Sequence, residues 1–415
     1  MSRAWWRGAE PHPGGSGRQA AGRETTGYVM GLGAGGVPVR LELPAAVSQH
    51  VLLVGATGSG KTTTVARLAD GCLRAGMGIV LVDAKGGGLK EVALRLAEMF
   101  ELSAVVVDPM DPDSRRYNPC RVGDAATVAN TLVGAFEFAD AAAIYREIAV
   151  ETMSLVVAGL QALGRVVTVR LVRDSLGASP LDALAEAVKT ADGGLASDLY
   201  RLAHSGAPYP AAWAGMSARL GALLQGTFGR LFEEDAKHPS LNLSEVMAKP
   251  SVTYVSLPAM AAQADVKLMA RVLAQDVKVA AYRRLSESGA PALLVLDEFA
   301  ALGDPEQVQD LLRQAREARI SVVVSTQTLP QDPALCSAVL QSGCVIAHRL
   351  ETENAQRMAA TFWTRKANEV TRQIGGDPEL PLSRSPLPRG ESIRVGRPLA
   401  YGLGTRPWPS RCRYR

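Results

Sequence analysis

The 415-residue sequence contains no hydrophobic run long enough to cross a membrane as a helix. Such a helix needs about 18 or more consecutive apolar residues. The nearest stretch, 148–164, carries Glu151 and Gln161 and is typical of a buried helix. The N-terminal residues also lack the apolar core of a signal peptide. The sequence therefore predicts a cytoplasmic protein with no transmembrane segment.

The sequence also lacks a strong charge of either sign and any spacing of cysteines or histidines that is typical of a metal site. Its 45 basic and 41 acidic residues leave a formal net charge of +4, and residues 377–415 hold eight arginines against three acids. The remainder is close to neutral, so nucleic acid would have to bind a local basic stripe. The five cysteines form no Cys-x-x-Cys pair, which disfavours a disulfide or zinc framework.

A series of short apolar runs is present instead, of the kind that form strands buried on both faces. They lie at Val51–Val54, Gly78–Asp83, 103–108, 252–257, 292–296, 321–325 and Cys344–Ala347. Helical patterns separate most of these runs, which predicts an α/β fold with a mostly parallel sheet covered by helices. Two earlier pieces, Tyr28–Leu32 and 37–43, are separated by a Gly-rich turn and predict a small hairpin.

Directly after the first buried run, residues 55–62 fit the phosphate-binding pattern GxxxxGK[ST]. Glycines let backbone N–H groups approach phosphate oxygens, and the helix that follows adds its positive end. We expect Lys61 to neutralise the β- and γ-phosphate oxygens and Thr62 to bind Mg²⁺. A chance glycine-rich turn is disfavoured because strand, lysine and hydroxyl occur together. The predicted nucleotide-binding residues are Gly55, Ala56, Thr57, Gly58, Ser59, Gly60, Lys61, Thr62 and Thr63.

Two acidic residues, Asp297 and Glu298, follow the buried run at 292–296. We expect Asp297 to bind Mg²⁺ through water and Glu298 to polarise the attacking water as the catalytic residue. An acidic pair at this position is also typical of a simple cap for the next helix. Together with the phosphate loop it favours hydrolysis of a nucleotide over transfer of a phosphoryl group to an acceptor.

Gln327 follows the next predicted strand, where a long amide side chain is expected near the γ-phosphate. It would sense that phosphate or orient the water, although a polar residue facing solvent has the same pattern. Upstream, residues 311–319 predict a helix with several exposed arginines. One of them would reach a neighbouring subunit's nucleotide as an arginine finger, the alternative being an ordinary solvated helix face.

The alternation of strand and helix stops between 118 and 250, where helical patterns predominate at 125–136, 141–163, 181–190, 195–204 and 211–224. We interpret this part as an all-helical subdomain inserted into the sheet domain. The predicted organisation is a disordered arm at 1–27, the nucleotide-binding domain at 28–117 and 251–375, the insert at 118–250, and a basic, disordered tail at 376–415.

Taken in order, these motifs resemble those of conjugative coupling proteins. Those are the VirD4/TraG/TraD-like ATPases of type IV secretion, in the FtsK/HerA branch of RecA-like motors. The similar segments are 55–62, Asp83-x-Lys85-Gly86, Tyr117-Asn118-Pro119, 223–235, 296–304 and 325–331, and the resemblance extends over 51–371. Taken alone, the Asp83 and Tyr117 segments are also typical of flexible turns.

The resemblance implies a RecA-like P-loop NTPase that hydrolyses ATP with Mg²⁺ and moves single- or double-stranded DNA as a homo-hexameric ring. It implies that Gln327 senses the γ-phosphate and that Arg316, eleven residues earlier, is the interfacial arginine. The implied partners are DNA and a relaxase or another transfer-complex protein. The implied location is cytoplasmic, with indirect association with the inner face of the membrane through a secretion channel.

The sequence departs from the family in two respects. Family members usually begin with transmembrane helices, which this sequence lacks, and beyond Gly376 it is rich in Pro and Arg and no longer resembles them. Two other functions stay open. One is a secretion or assembly ATPase that recognises protein cargo without moving DNA, and the other is a nucleotide-binding protein without turnover.

Overall fold

The computed structural model describes residues 27–32, 36–85, 88–139, 142–258, 263–287, 290–298, 305–362 and 399–401. The strands in these residues are β1 (Tyr28–Leu32), β2 (Pro38–Leu41), β3 (Val51–Val54), β4 (Gly78–Asp83), β5 (Ala104–Val107), β6 (Arg116–Tyr117), β7 (Ser240–Leu241), β8 (Ser251–Ser256), β9 (Ala292–Asp297), β10 (Ile320–Thr326), β11 (Cys344–Ala347) and β12 (Leu399–Tyr401). The helices are α1 (Lys61–Arg74), α2 (Gly88–Met99), α3 (Ala125–Gly134), α4 (Ala143–Ala162), α5 (Val169–Asp174), α6 (Ala178–Val188), α7 (Gly193–Ala203), α8 (Tyr209–Gln225), α9 (Leu243–Ala248), α10 (Gln263–Glu287), α11 (Pro305–Glu317), α12 (Pro333–Leu340) and α13 (Thr352–Phe362).

Eight strands form one sheet in the order β12-β11-β3-β10-β9-β4-β8-β5. Every pairing in this sheet is parallel. The predicted α/β fold with a mostly parallel sheet is therefore confirmed. Strands that follow one another in the sequence are often not neighbours in the sheet. Parallel strands need crossover connections, and the helices provide them.

The inner strands of the sheet, β3, β4, β8, β9 and β10, are almost entirely buried. Successive side chains point to opposite sides of the sheet, and both sides pack into a core. In β3, Leu52 and Val54 belong to the core on one face, and Val51 and Leu53 belong to the core on the other. Each such side chain contributes about 1.5–3 kcal/mol when fully buried. This burial explains why the strands read as continuous apolar runs in the sequence.

Different helices cover the two faces of the sheet. On one face α1 and α2 pack with the β1–β2 hairpin, which is antiparallel as predicted. On the other face α10, α11, α12 and α13 share a core with the helices that lie between β6 and β8. Within the described residues, no helix has the length and apolar character that crossing a membrane requires.

Most of the chain between β6 and β8 is helical, as the sequence predicts. α4 packs against α3, α6, α7 and α8 and lies at the centre of this group. The sequence patterns missed the short helices α5 and α9 and the two-residue pairing of β6 with β7. Six residues are too few for a clear helical period, and a two-residue pairing across more than 100 positions leaves no local signal. The boundaries at 118 and 250 stay a prediction.

Several predictions concern residues outside the described part of the chain. They are the arm at 1–27 apart from Gly27, the tail at 376–415 apart from β12, residue Gly86, and positions 299–304 of the acidic motif. Strand β12 falls within the predicted tail and pairs with β11 at one edge of the sheet.

Candidate nucleotide-binding site

The predicted phosphate loop connects the end of β3 to the start of α1. Gly58 and Gly60 have φ angles of +71° and +107°, in the left-handed region that favours glycine. At Gly55, an added Cβ would lie 2.5 Å from the Cβ of His348 and 2.7 Å from the Oγ of Ser59. The positions of these glycines in the pattern thus have a steric cause in this chain.

Neighbouring strands on both sides hold the loop in place. The Gly55 amide donates to the carbonyl of Thr326 at 3.1 Å, and the Ala56 amide donates to the carbonyl of Arg349 at 2.8 Å. On the β11 side, the amide of His348 donates to the carbonyl of Val54 at 2.8 Å. These bonds fix the loop before any phosphate is bound, so that little ordering is needed on binding.

Lys61 is buried, and its ammonium lies inside the curve of the loop. Nζ donates to the carbonyl of Gly55 at 2.5 Å and to that of Ala56 at 3.3 Å. Burial lowers the pKa of Lys61, and repulsion from Lys85 lowers it further, against the attraction of the nearby acids. A partly desolvated ammonium in this position is well suited to pair with phosphate oxygens.

The polar side chains of the loop also fit a phosphate ligand. Ser59 Oγ is buried and has no hydrogen-bond partner among the described residues. Thr57 Oγ1 donates to Oε1 of Gln327 at 2.7 Å, whereas Thr62 and Thr63 are exposed on the first turn of α1. The Thr62 hydroxyl is thus accessible to a cation held beside the phosphates.

Asp297 ends β9 at the same edge of the sheet as the phosphate loop. It lies between Ser325 of β10 and Asp83 of β4 in the parallel register. Ser325 Oγ donates to Asp297 Oδ1 at 2.6 Å, which fixes the carboxylate. Mg²⁺ prefers one or two protein oxygens completed by water and phosphates, and Thr62 and Asp297 supply oxygens of that kind.

Glu298 follows with a left-handed φ of +55°, which is unusual for a residue other than glycine. Its Oε2 accepts a hydrogen bond from Gln327 Nε2 at 2.9 Å and lies 2.7 Å from Lys85 Nζ. Burial raises the pKa of the Glu298 carboxyl, but the bonds from Lys85 and Gln327 outweigh it and the pKa is lowered. The residue is therefore held as a carboxylate.

Gln327 connects the phosphate loop to Glu298, since its amide accepts from Thr57 and donates to Glu298. The structure thus brings together three of the predicted catalytic residues, Lys61, Glu298 and Gln327, with the loop at 55–63. Their catalytic roles stay predictions.

Arg316 is not part of this cluster. It is exposed on the last turn of α11, shortly before β10 begins, and so lies at the opposite edge of the sheet from the phosphate loop. Burial lowers the pKa of His50, and the charge of Arg316 lowers it further. Because His50 directly precedes β3, this places Arg316 near the start of a strand whose end carries the loop. Four strand residues separate the two edges by about 13 Å.

Two residues beside the loop have no signal in the sequence patterns. His348 is buried, its Nε2 lies 3.0 Å from Thr64 Oγ1, and its Cβ fills the space next to Gly55. Arg349 is exposed and contacts the loop through its carbonyl. Both follow β11, whose position beside β3 is set by tertiary pairing and cannot be read from spacing.

The fold is that of the RecA-like class of P-loop NTPases. A parallel sheet carries a phosphate loop between one of its inner strands and a helix, and acids lie at the end of a nearby strand. The central domain of the helicase HerA is the family whose model matches, over residues 26–87. No curated protein matches the sequence significantly.

Solved structures with this arrangement include VirB4 of Thermoanaerobacter pseudethanolicus. It is 15% identical with a TM-score of 0.50, and the match covers 83% of this chain and 90% of VirB4. The chain is also similar to the plasmid coupling protein TrwB in complex with ADP and Mg²⁺, at 18% identity and a TM-score of 0.48, covering 82% of this chain and 73% of TrwB. The predicted RecA-like fold is confirmed. The predicted resemblance to conjugative coupling proteins and the HerA branch is also confirmed.

Proposed function

We propose that this chain is an ATPase that moves DNA in conjugative transfer, as a coupling protein of a type IV secretion-like system. In this proposal it binds ATP with Mg²⁺ and works as a homo-hexameric ring. Its partners are single- or double-stranded DNA and a relaxase or another transfer-complex protein. It acts in the cytoplasm, in indirect contact with the inner face of the membrane through a secretion channel.

The observation that carries the proposal is the continuous line of hydrogen bonds from the phosphate loop to the catalytic carboxylate. Thr57 donates to Gln327 at 2.7 Å, and Gln327 donates to Glu298 at 2.9 Å. A site that only binds nucleotide has no need for an amide that connects its phosphate loop to a carboxylate. Hydrolysis needs both groups, because the attacking water must be activated and aligned with the γ-phosphate.

Each residue has a distinct task in this mechanism. Lys61 balances the charge of the β- and γ-phosphates, and Gln327 aligns the attacking water with the γ-phosphorus. Glu298 accepts a hydrogen bond from that water and takes its proton as the new bond to the γ-phosphorus forms. The bond from the γ-phosphorus to the β,γ-bridging oxygen breaks at the same time, and ADP leaves. Mg²⁺, held by Thr62 and Asp297, would neutralise the phosphate oxygens when bound.

The ring is proposed because the predicted arginine finger does not reach its own site. Arg316 is exposed at the edge of the sheet opposite the phosphate loop. An arginine at that edge contributes to hydrolysis if the next subunit in a ring brings its phosphate loop to it. The motifs that resemble coupling proteins further support DNA as the transported polymer.

Steady-state ATP hydrolysis with and without DNA tests the proposal. We expect the wild type to hydrolyse ATP faster with single- or double-stranded DNA at low salt, where phosphate contacts are strong. Lys61→Ala should reduce hydrolysis to background. The matched control is Lys189→Ala, an exposed lysine paired with Glu186 on α6, which should leave the rate unchanged. Equal wild-type rates with and without DNA would contradict the motor.

A second candidate is a secretion or assembly ATPase that recognises protein cargo without moving DNA. The charge of the proposed insert favours it, since residues 118–250 hold 14 acidic against 11 basic residues. A segment of formal net charge −3 suits a protein partner better than a polyanion. DNA-independent hydrolysis that rises on addition of a purified relaxase or secreted protein would select this candidate.

A further inference from the structure

Lys85 contacts the predicted catalytic carboxylate, although the function proposed above gives it no task. Its Nζ lies 2.7 Å from Oε2 of Glu298, and the two side chains are 37% and 17% exposed. Lys85 comes two residues after the last residue of β4, the strand beside β9. Glu298 is therefore held from both neighbouring strands, by Lys85 on one side and by Gln327 of the β10 side on the other.

The Lys85 side chain is able to change partners without movement of its backbone. Its amide donates to Oδ1 of Asp83 at 2.9 Å, which fixes the main chain at this position. The buried Asp83 carboxylate also accepts from the Leu89 amide at 3.4 Å, at the start of α2. The lysine side chain itself is more than a third exposed, so its long stem is only partly packed.

The phosphates of a nucleotide bound to the phosphate loop would be attracted by the positive charge of Lys85. Its ammonium is close enough to Lys61 for the two charges to interact, and Lys61 lies inside the loop. The same Oε2 of Glu298 accepts from both Lys85 and Gln327, and Gln327 reaches Thr57 of the loop. A terminal phosphate arriving at the loop therefore meets two ammonium groups, one of which is paired with a carboxylate.

We propose that Lys85 has two alternative partners, the carboxylate of Glu298 and the terminal phosphate of a bound nucleoside triphosphate. When the Lys85 ammonium pairs with the γ-phosphate, it no longer pairs with Glu298. The Glu298 carboxylate then accepts a proton from water more readily. Lys85 is thus a nucleotide-binding residue that recognises a triphosphate and distinguishes it from a diphosphate. This inference rests on the proposed ATPase function of the same site.

Nucleotide binding measured by calorimetry tests this assignment without any hydrolysis. For Lys85→Met we expect the affinity for a non-hydrolysable ATP analogue to fall about tenfold, which corresponds to about 1.4 kcal/mol. The affinity for ADP should stay unchanged. Lys85→Arg should recover part of the loss, since it keeps the charge.

The matched control is Lys90→Met, because Lys90 pairs with Asp108 and Asp111 at 2.9 Å and not with the site. It should leave both affinities unchanged. Equal losses for ADP and the ATP analogue in Lys85→Met, or no loss for either, would overturn the inference.

A double-mutant cycle examines the competition directly. Glu298→Gln removes the competing carboxylate charge, so it should raise the affinity for the ATP analogue in the presence of Lys85. The same substitution should raise it less in the Lys85→Met background. Additive effects would show that Lys85 does not exchange between the two partners.

The outcomes separate this inference from the proposed function. Coupled binding effects without DNA-stimulated hydrolysis would overturn the motor and leave the Lys85 assignment standing. DNA-stimulated hydrolysis with additive binding effects would support the motor and overturn the Lys85 assignment.

Discussion

Glu298 shows how single residues acquire their chemistry from neighbours. Its left-handed backbone and the two donors on Oε2 fix where the carboxylate lies. The sequence identifies an acidic pair after a buried strand, but the pattern alone equally fits a helix cap. The contacts with Gln327 and Lys85 favour a catalytic role for Glu298 over a cap, because a capping side chain would bond to backbone amides of its helix.

Glu298→Gln should therefore abolish hydrolysis while nucleotide binding persists. The amide keeps the shape of the side chain but does not accept a proton, and a general base is worth about 100- to 10,000-fold in rate. We expect at least the lower of these losses in kcat, measured as phosphate release. The exposed Glu147→Gln on α4 is the control. Retention of more than a tenth of the activity would show that Glu298 is not the base.

A second carboxyl group, that of Asp276, has a pKa shifted in the direction opposite to that of Glu298. Asp276 of α10 is buried and accepts a hydrogen bond from the Tyr117 hydroxyl at 3.0 Å. Burial raises the pKa of Asp276 to about 7, although the bond from Tyr117 lowers it. The folded protein thus binds a proton at this site that the unfolded chain, with an ordinary pKa near 3.9, releases.

This raised pKa predicts how stability depends on pH. Below about pH 4, Asp276 is protonated in both states and does not lower the free energy of unfolding. Between about pH 4 and pH 7 that free energy falls as the pH rises, and above about pH 7 the loss is constant. Asp276→Asn imitates the protonated form, so its free energy of unfolding should exceed that of the wild type at pH 8 by about 2–4 kcal/mol. The two proteins should be similar near pH 4.

Urea unfolding followed by circular dichroism at pH 4 and pH 8 measures this difference. The control is Asp198→Asn on α7, whose exposed carboxylate pairs with Arg201 and should show no comparable change. A variant that is less stable than the wild type at pH 8 would contradict the prediction.

At the scale of elements, the phosphate loop is defined as much by the strands beside it as by its own glycines. Gly58 and Gly60 need their left-handed backbone, a local requirement that the pattern contains. Gly55 needs the absence of a Cβ because His348 after β11 occupies the adjacent space. That second requirement arises from the pairing of β11 with β3 and is invisible in the loop sequence.

Gly55→Ala should accordingly damage the site. Its Cβ would approach the Cβ of His348 to 2.5 Å, so the loop or the end of β11 must move. We expect the affinity for ATP to fall by about tenfold or more and the protein to lose about 1–3 kcal/mol of stability. Equilibrium binding and thermal unfolding measure the two effects.

The control for this substitution is Gly221→Ala in α8, where an added Cβ meets nothing within 4 Å. Alanine in a helix is favoured over glycine by roughly 0.5–1 kcal/mol, so this variant should be neutral or slightly stabilised. Normal ATP affinity in Gly55→Ala would show that the loop accommodates a side chain there.

At the scale of the whole molecule, the phosphate loop and Arg316 lie on opposite sides of the sheet along the strand direction. The loop lies where the strands end, and Arg316 lies where they begin. In a parallel sheet all strands end at the same edge, so groups before a strand and groups after it lie a strand length apart. Arg316 precedes β10, and the loop follows β3. In the proposed ring, a complete catalytic site therefore combines two copies of the chain.

Mixing two inactive variants tests this arrangement. Arg316→Ala and Glu298→Gln should each be inactive alone. A ring that contains both variants has some sites with Arg316 from one subunit and Glu298 from the next, so hydrolysis should reappear on mixing. We expect up to about a quarter of the wild-type rate for random equal mixing. No recovery, from subunits shown to exchange, would contradict a shared site.

The sequence by itself determined most of the longer elements of this protein and the local chemistry of its phosphate loop. Apolar runs identified the strands, and the glycines, Lys61 and Thr62 identified the loop, because backbone preference and burial act over a few residues. Tertiary structure alone decided the neighbours: Lys85 beside Glu298, His348 behind Gly55, and Arg316 at the far edge. Strand order decides these contacts, and it depends on packing between segments that are far apart in the chain.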